Sequence, residues 1–567
     1  MKAYPYFVKR KTIELDGLWD FSFLGDSVEL DKMDVTRITY DSRLPVPSAF
    51  DAFPAYAGKR GTAAYRTSVE IAQGKRGMLK FQSVGIYCQV YVDGKLVKTH
   101  HPAYVPFTCE IPADMDRRMR EIVVVVDNRY DPVWAPLQEN AFDFYNYGGI
   151  MRSVTAFELP ACHIEYCHVT PQDIARGVIS VKIRIGGKIP ARLDLDGIID
   201  GRQRFDFKGL PVINGEVAFK IGVQNPDLWS PENPALHTLA VETADDDMIV
   251  RFGLREIKAE KGRILLNGKP VKLLGVCRHE AHPQFGPALP DQQLAADIQI
   301  LKDLGCNFVR GSHYPQDQRF LDLCDEAGIM FFEEALGWGQ NKTHFTNPRF
   351  VEAQLYQTQA MVNASFNHPC VIMWGFLNEG ESDVEEARPC YEKLIRLIRE
   401  MDPSRLVTYA SFKRRSDLFL DQVDVVSFNT YPGWYNADDD ENPLALILPK
   451  IRSDLEFLRS RPDLKDKPFV LSEIGGAAIY GWHDAMHGLY TEEYQAELLE
   501  TVCREVVGND AISGISIWQF CDCRTYKCGR AIRRPRAFNN KGILDEYRRP
   551  KQAYYRVKQI FEGEGHL

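Results

Sequence analysis

VKLLGVC (271–277), DQQLAADIQILKDLG (291–305), CNFVRGSH (306–313), QDQRFLDLCDEAG (316–328) and IMFFEEAL (329–336) follow one another along the chain. Short apolar runs alternate with segments of helical period. In the first helical segment Leu294, Ile298 and Leu301 fall on one face, and Gly305 stops it. The alternation continues downstream. FVEAQLYQTQAMV (350–362) precedes VIMWGFLNE (371–379), which precedes EEARPCYEKLIRLIRE (385–400). RLVTYAS (405–411), DVVSFNTY (424–431), PFVLSEIG (468–475) and ISGISIWQF (512–520) complete eight strand candidates, with helices read at 444–458, 493–507 and near 550–562. Strand–helix alternation repeated this way predicts parallel strands, and eight strand candidates predict their closure into a TIM barrel over residues 256–567.

Upstream the period changes. Residues 1–160 carry short β-rich segments, among them TAAYRTSVEI (62–71), GIYCQVYVDG (85–94) and REIVVVVDN (120–128), with no long helical pattern. Asp93-Gly94 between apolar residues predicts a hairpin. Residues 161–255 are again β, as in VISVKIRI (178–185) and HTLAVETA (237–244), and their spacing suits a small sandwich. The 567 residues are 45% hydrophobic and 26% charged, enough apolar surface for several cores. A net charge of −9 argues against a dedicated nucleic-acid binder. The start, MKAYPYFVKRKTIEL, has no apolar h-region, and no run approaches the ~20 apolar residues of a membrane span. No membrane association is predicted, and the cytoplasm is the expected compartment. Thirteen cysteines without scaffold spacing fit reduced thiols. Cys521, Cys523 and Cys528 cluster, but the paired C-x-x-C spacing of a zinc site is absent.

Barrel enzymes place their chemistry at the C-terminal ends of the strands. Those ends carry Arg278-His279-Glu280, then Arg310, Ser312, His313 and Tyr314, then Glu333 and Glu334. After them come Asn378-Glu379, Asn429 and Tyr431, Glu473, and finally Trp518 and Asp522. So many charges converging on one rim need a reason, since like charges repel and burial is costly. Glu379 and Glu473 end the fourth and seventh strands. Two readings are open at this point. Each is a rim residue paired with Arg278 or Arg310, or the two face a common substrate, as in glycoside hydrolysis.

NHPCVIMWGFLNE (367–379), LSEIGG (471–476) and NFVRGSHYPQDQRFLDLCDEAGI (307–329) resemble the motifs of glycoside hydrolase family 2. LDGLWDFSF (15–23) and NYGGIMRSV (146–154) look like that family's sugar-binding jelly-roll domain. LWSPENP (228–234) and RFGLREI (251–257) look like its immunoglobulin-like middle domain and the junction to the barrel. The resemblance covers nearly the whole chain; Gly311 departs from the small polar residue or Ala usual there. It implies a retaining mechanism with Glu379 as acid/base, Glu473 as nucleophile, Asn378 on the sugar 2-OH and Tyr431 donating to Glu473. A nucleophile that must stay ionised needs cations and donors, for which Arg278 and Arg310 are candidates, with His279 and His313 in support. The acid needs a less polar setting that raises its pKa. Retention implies a carboxyl separation of about 5–5.5 Å.

Between Cys523 and Gly542 stand seven basic residues and no acid. On charge alone this is a solvated loop, a subunit contact, or a positive field at the site. Asn539-Asn540-Lys541 resembles the Asn-x-Lys motif with which β-glucuronidases of the family grip the sugar's C6 carboxylate. FDFYNYGG (142–149) is similar to the segment reaching over the site in those enzymes, which makes Asp143 a candidate contact. NTYPGWY (429–435) adds Asn429 and Tyr435 beside Tyr431, and Trp518 ends the eighth strand at the same rim. Thr430, Pro432, Arg533, Arg534 and Arg536 fall outside the usual glucuronidase pattern. Galacturonide is therefore an alternative to glucuronide, and a neutral β-galactoside is a further one. The short loop GWGQNKTHFTNP (337–348) resembles family members lacking a long active-site loop, so sugar or other large leaving groups are expected. The expected substrates are β-linked uronic-acid conjugates or oligosaccharides. No cofactor or metal is implied. The resemblance implies a homo-oligomer, dimer or tetramer.

Overall fold

Strand Met119–Asp127 is the spine of the first sheet. It pairs antiparallel with Thr62–Glu70 on one side and Tyr87–Val92 on the other. Its β-branched residues suit a pleated surface buried on both faces. Ile122, Val124 and Val126 join the core with Tyr65 and Phe81, while Val123 and Val125 pack under Val35 and Tyr91. This six-stranded sheet faces a four-stranded one, built from Thr12–Glu14, Val154–Leu159, Arg76–Phe81 and Phe107–Ile111. The hairpin at Asp93-Gly94 forms as expected, with φ of 48° and 75° at its two central residues. A second sandwich follows. Cys162–Asp173, Val178–Gly187 and Glu216–Gly222 form one sheet, and Gln203–Pro211, Arg192–Ile199, His237–Glu242 and Asp247–Phe252 the other. Alternate residues such as Ile179, Val181 and Ile183 fill the space between them. This computed structural model describes residues 4–132, 135–137, 143–435, 442–526 and 534–563. Cys528 and Arg533 lie outside the described residues.

The third unit is the parallel barrel. Its strands are β1 (Leu273–Arg278), β2 (Phe308–Gly311), β3 (Met330–Glu334), β4 (Val371–Gly375), β5 (Leu406–Val407, continued at Ala410–Ser411), β6 (Val426–Asn429), β7 (Phe469–Ile474) and β8 (Gly514–Ile517). β1 pairs with both β2 and β8. The two pieces of β5 pair outward in opposite directions, the first to β4 and the second to β6, so this one strand closes the ring. Helices α1 (Asp291–Asp303), α2 (Gln318–Ala327), α3 (Pro348–Ser365), α4 (Arg388–Met401), α5 (Ile447–Ser460), α6 (Glu492–Gly508) and α7 (Gln552–Phe561) surround it. α1 buries Leu294, Ile298 and Leu301 as its spacing predicts, and Gly305 takes φ 78° just beyond its end. Between β5 and β6 the chain makes 3-10 turns, Arg414–Ser416 and Leu420–Gln422, where the other crossovers have helices. Among the described residues no helix is long and apolar enough to cross a membrane.

The first sandwich is locked to the barrel mouth. Arg152 donates to Glu280 Oε2 at 2.8 Å and to the Pro315 carbonyl at 2.7 Å, and Tyr104 stacks on Tyr314 with centroids 3.9 Å apart. Tyr145 N–H donates to the Arg524 carbonyl, 2.9 Å. These contacts hold the Asp143–Tyr147 segment over the strand ends.

Candidate active site

The strand ends converge on a cavity of about 1350 Å³ lined by Glu379, Glu473, Asp143, Asn429, Tyr431, Tyr435, His313, Trp518 and Arg534, among others. Glu379 lies past the end of β4 in a left-handed turn (φ 52°), an uncommon conformation for a non-glycine residue and one enriched at functional sites. Its N–H is held by the Ala410 carbonyl of β5 at 2.9 Å. Glu473 sits on β7 and is more tightly bound. Tyr431 Oη donates to its Oε2 at 2.6 Å and Arg310 Nη1 to its Oε1 at 2.8 Å.

Arg310 is fully buried and distributes its donors among groups on β3, on β7 and just past β4. Besides Glu473 it reaches Glu334 Oε2 (2.6 Å) and Asn378 Oδ1 (2.8 Å). Guanidinium only donates, so the bond to Asn378 fixes which end of that amide is oxygen. The Asn378 nitrogen is then buried with no hydrogen-bond partner among the described residues. Asn429 Nδ2 donates both to Asn378 Oδ1 (3.1 Å) and to Glu379 Oε1 (3.0 Å), and its own oxygen accepts from Ser472 Oγ at 2.8 Å. A continuous chain of hydrogen bonds therefore links the two carboxyl groups through Arg310, Asn378 and Asn429. Burial, with the nearby charge of Glu473 adding to it, pushes the Glu379 carboxyl up to about 8. Burial also pushes His313 down to about 3, so its ring is neutral. That ring stacks on Trp518 at 5.0 Å and 14°, and its Nδ1 lies 3.0 Å from Glu334 Oε1. His279 packs edge-on against Trp518 and is buried behind His313.

A second cluster gathers around Lys541, whose Nζ lies 5.7 Å from the centre of the Tyr431 ring. Lys541 Nζ donates to Tyr435 Oη at 3.1 Å and is 1% exposed as a residue. Burial, followed by the neighbouring charge of Arg534, lowers its pKa. Burial alone would raise the Tyr435 hydroxyl, but Lys541 and Arg534 outweigh it and hold the group below its usual value. Arg534 forms a two-pronged ion pair with Asp143, and Asn539 Nδ2 donates to Asp143 Oδ2 at 3.1 Å. The Asn539–Lys541 loop is pinned from behind by Asp522. That carboxylate accepts from Asn540 Nδ2 (2.9 Å), Gly542 N (2.9 Å) and Lys551 Nζ (2.8 Å).

One expected site residue is elsewhere. Arg278 was a candidate to neutralise Glu473, but its guanidinium bonds Asp297 Oδ2 (2.8 Å) on α1 and Gln316 Oε1 (2.8 Å). It is a scaffold residue shared with Arg548, which also reaches Asp297 at 3.1 Å. The correction follows from strand alternation: Cys277 has its Sγ toward Arg310 and the Ser472 carbonyl of β7, and the next residue points the opposite way. Other rim groups are also engaged by the scaffold. Glu280 holds Arg152, Glu333 accepts from Ser365, and Arg536 pairs with Glu546. Cys521 and Cys523 are buried free thiols, and His368 Nδ1 lies 2.6 Å from Asp325. Sequence reasoning assigned no role to Glu334, Ser472 or Arg534. Glu334 was legible as one of a Glu-Glu pair on a strand, of which one must face inward. Arg534 had no local signal, because its partners lie in other parts of the chain.

Comparison with known proteins agrees with this architecture. Residues 257–563 match the model of glycosyl hydrolases family 2, TIM barrel domain, residues 27–160 its sugar binding domain, and residues 162–255 the remaining family 2 domain. Fold and site define a glycoside hydrolase. The chain belongs to glycosyl hydrolase family 2. It is 28% identical to a β-glucuronidase of Streptococcus agalactiae over 98% of this chain and 97% of that one. It is likewise 28% identical to human β-glucuronidase, over 97% and 91%. The solved structure of a family 2 β-galacturonidase from Eisenbergiella tayi bound to galacturonate superposes with a TM-score of 0.88, at 34% identity over 99% of this chain and 98% of that one.

Proposed function

We propose that the chain is a retaining, exo-acting β-hexuronidase. Lys541 carries the reading. It is a buried amino group beside the carboxyl pair, and its described side-chain hydrogen bond goes to a tyrosine hydroxyl instead of a protein carboxylate. A buried ammonium without an anion is costly. The C6 carboxylate of a uronide would supply that anion, with the Asn539 amide beside it; a neutral galactoside would not. In this reading Glu473 attacks the anomeric carbon, oriented by the hydrogen bonds it accepts from Arg310 and Tyr431. Glu379, protonated by virtue of its burial, donates to the leaving oxygen. It then takes a proton from the water that hydrolyses the glycosyl-enzyme, which retains configuration and calls for carboxyls about 5–5.5 Å apart. The unpartnered Asn378 nitrogen is positioned to donate to the sugar 2-OH, a bond that strengthens in the transition state. Asp143 and Arg534 close the cavity end, which suits a terminal sugar. A cytoplasmic setting is part of this reading; the described cysteines are unpaired, as a reducing compartment keeps them.

Glucuronide is the first substrate reading, supported by the named β-glucuronidase relatives. Galacturonide is the second. Arg534, outside the usual glucuronidase pattern, reaches Asp143 and Tyr435 where sugar hydroxyls would lie, and identity to the named β-galacturonidase is 34%. The test is kcat/KM on p-nitrophenyl β-glucuronide, β-galacturonide and β-galactoside, with Glu473→Gln as control. A uronide preference of about tenfold or more, abolished in the variant, is expected. Equal or faster galactoside turnover would remove Lys541 from substrate binding.

A further inference from the structure

The cavity does not end at the two carboxyl groups. Its lining also takes in Trp338, Phe412, Arg414, Leu446 and Lys450, and its volume of about 1350 Å³ is more than the roughly 300–1,000 Å³ of a pocket for a drug-sized ligand. This outer wall is attached to the acid side of the site. Glu379 N–H is bonded to Ala410, and from there the chain passes through Ser411 into Phe412 and Arg414. In the hexuronidase reading, a group departing with the Glu379 proton would pass this wall.

We propose that this wall is a leaving-group subsite for a negatively charged moiety, a carboxylate or sulfate borne on a ring. Arg414 Nη1 lies 3.7 Å from Asp454 Oδ2 and donates to Thr430 Oγ1 at 3.3 Å; Lys450 Nζ donates to Asp454 Oδ1 at 2.9 Å. Two cations, 30% and 31% exposed as side chains, thus share one fully buried carboxylate. Counted over the described residues Arg414, Lys450 and Asp454, the wall keeps one net positive charge, in a chain whose net charge is −9. Arginine's planar fork matches a carboxylate or sulfate. Its turn is preformed: the Asp417 carboxylate accepts from Tyr409 Oη and Ser411 Oγ, both at 2.5 Å, and Ser411 Oγ accepts from Lys413 N–H at 3.2 Å. Little ordering is left for the ligand to impose. Phe412 and Leu446, 42% and 43% exposed, offer an apolar face for the ring that carries the charge.

The proposal rests on the hexuronidase reading, and the test separates the two. The substrates are aryl β-hexuronides with a carboxymethyl, a sulfo-oxymethyl or a neutral methoxycarbonylmethyl group at the same ring position. The methylene insulates the leaving oxygen, so the chemistry is matched. Expected is a kcat/KM for one or both anions about threefold or more above the ester, the scale of a half-exposed ion pair, shrinking as salt is added. Which anion wins identifies the group recognised. In Arg414→Gln and Lys450→Met the anion-to-ester ratio should fall to about 1, and Arg414→Lys should restore part of it. Because the readout is a ratio within one variant, a general loss of activity does not mimic it. Parity of all three substrates in the unaltered enzyme, with normal turnover, overturns the subsite alone. Failure to turn over any of them overturns the hexuronidase reading and the subsite with it. The acidic run Asp438-Asp439-Asp440-Glu441 lies outside the described residues; neutralisation of the wall by it would show as parity.

Discussion

Tyr431 Oη donates to Glu473 Oε2 at 2.6 Å while Arg310 donates to the other oxygen of the same carboxylate at 2.8 Å. Both lone-pair sides of Glu473 are engaged before any substrate arrives. A hydrogen bond to a charged group is worth about 1.5–3 kcal/mol. Tyr431→Phe should therefore lower kcat by roughly tenfold to a hundredfold with the fold intact. Steady-state kinetics on a p-nitrophenyl hexuronide read this directly, and an unchanged kcat would remove Tyr431 from the mechanism.

The Glu379 carboxyl, raised to about 8 by burial and the charge of Glu473, holds its proton below that pH and loses it above. The profile of kcat/KM reports groups in the free enzyme. Its alkaline limb should fall near pH 8, and with a highly activated aryl leaving group Glu379→Gln should retain turnover without that limb. Persistence of the limb in the variant would assign it to another group.

Lys541→Met should raise KM for hexuronides more than it lowers kcat. Loss of one charge-assisted hydrogen bond predicts about a tenfold to hundredfold drop in kcat/KM. The effect on a neutral galactoside should be much smaller. Equal losses on both substrates would make Lys541 a structural residue.

Lys551 and Asp522 are both essentially inaccessible and 2.8 Å apart. Lys551 also donates to the Ala478 and Asn540 carbonyls, so it ties the loop after β7 to the one carrying Lys541. Breaking a buried pair from one side costs about 3–5 kcal/mol. Urea unfolding of Lys551→Met should show a loss of that order, accompanied by a raised KM for hexuronides. A loss below about 1 kcal/mol would mean the loop is held by other contacts.

Much of the architecture was legible because its signals are local. The 3.6-residue period placed Leu294, Ile298 and Leu301 on the buried face of α1, and Asp93-Gly94 announced its hairpin. The polar residues after each apolar run identified the rim, and two of them, Glu379 and Glu473, share one cavity. β5 was less legible. RLVTYAS reads as one strand, yet Thr408 and Tyr409 separate two short pieces that pair with different neighbours. Which neighbour a residue pairs with is set by closure of the ring.

The chain's own pattern thus determined the order of elements, the chemistry at each strand end and the family motifs. Tertiary structure decided where those groups point and what they touch. Arg278 and Arg310 look alike in sequence, each near the end of an apolar strand. One is directed to Asp297 on α1, the other to Glu473. Arg534 meets Asp143 of the first domain across most of the chain, and Arg414 reaches Asp454 from a different loop, whereas Lys450 meets the same carboxylate from one turn away on its own helix. Periodicity is a property of neighbours along the backbone. The partner of a charged side chain is chosen by packing between distant segments, where burial makes leaving it unpaired costly.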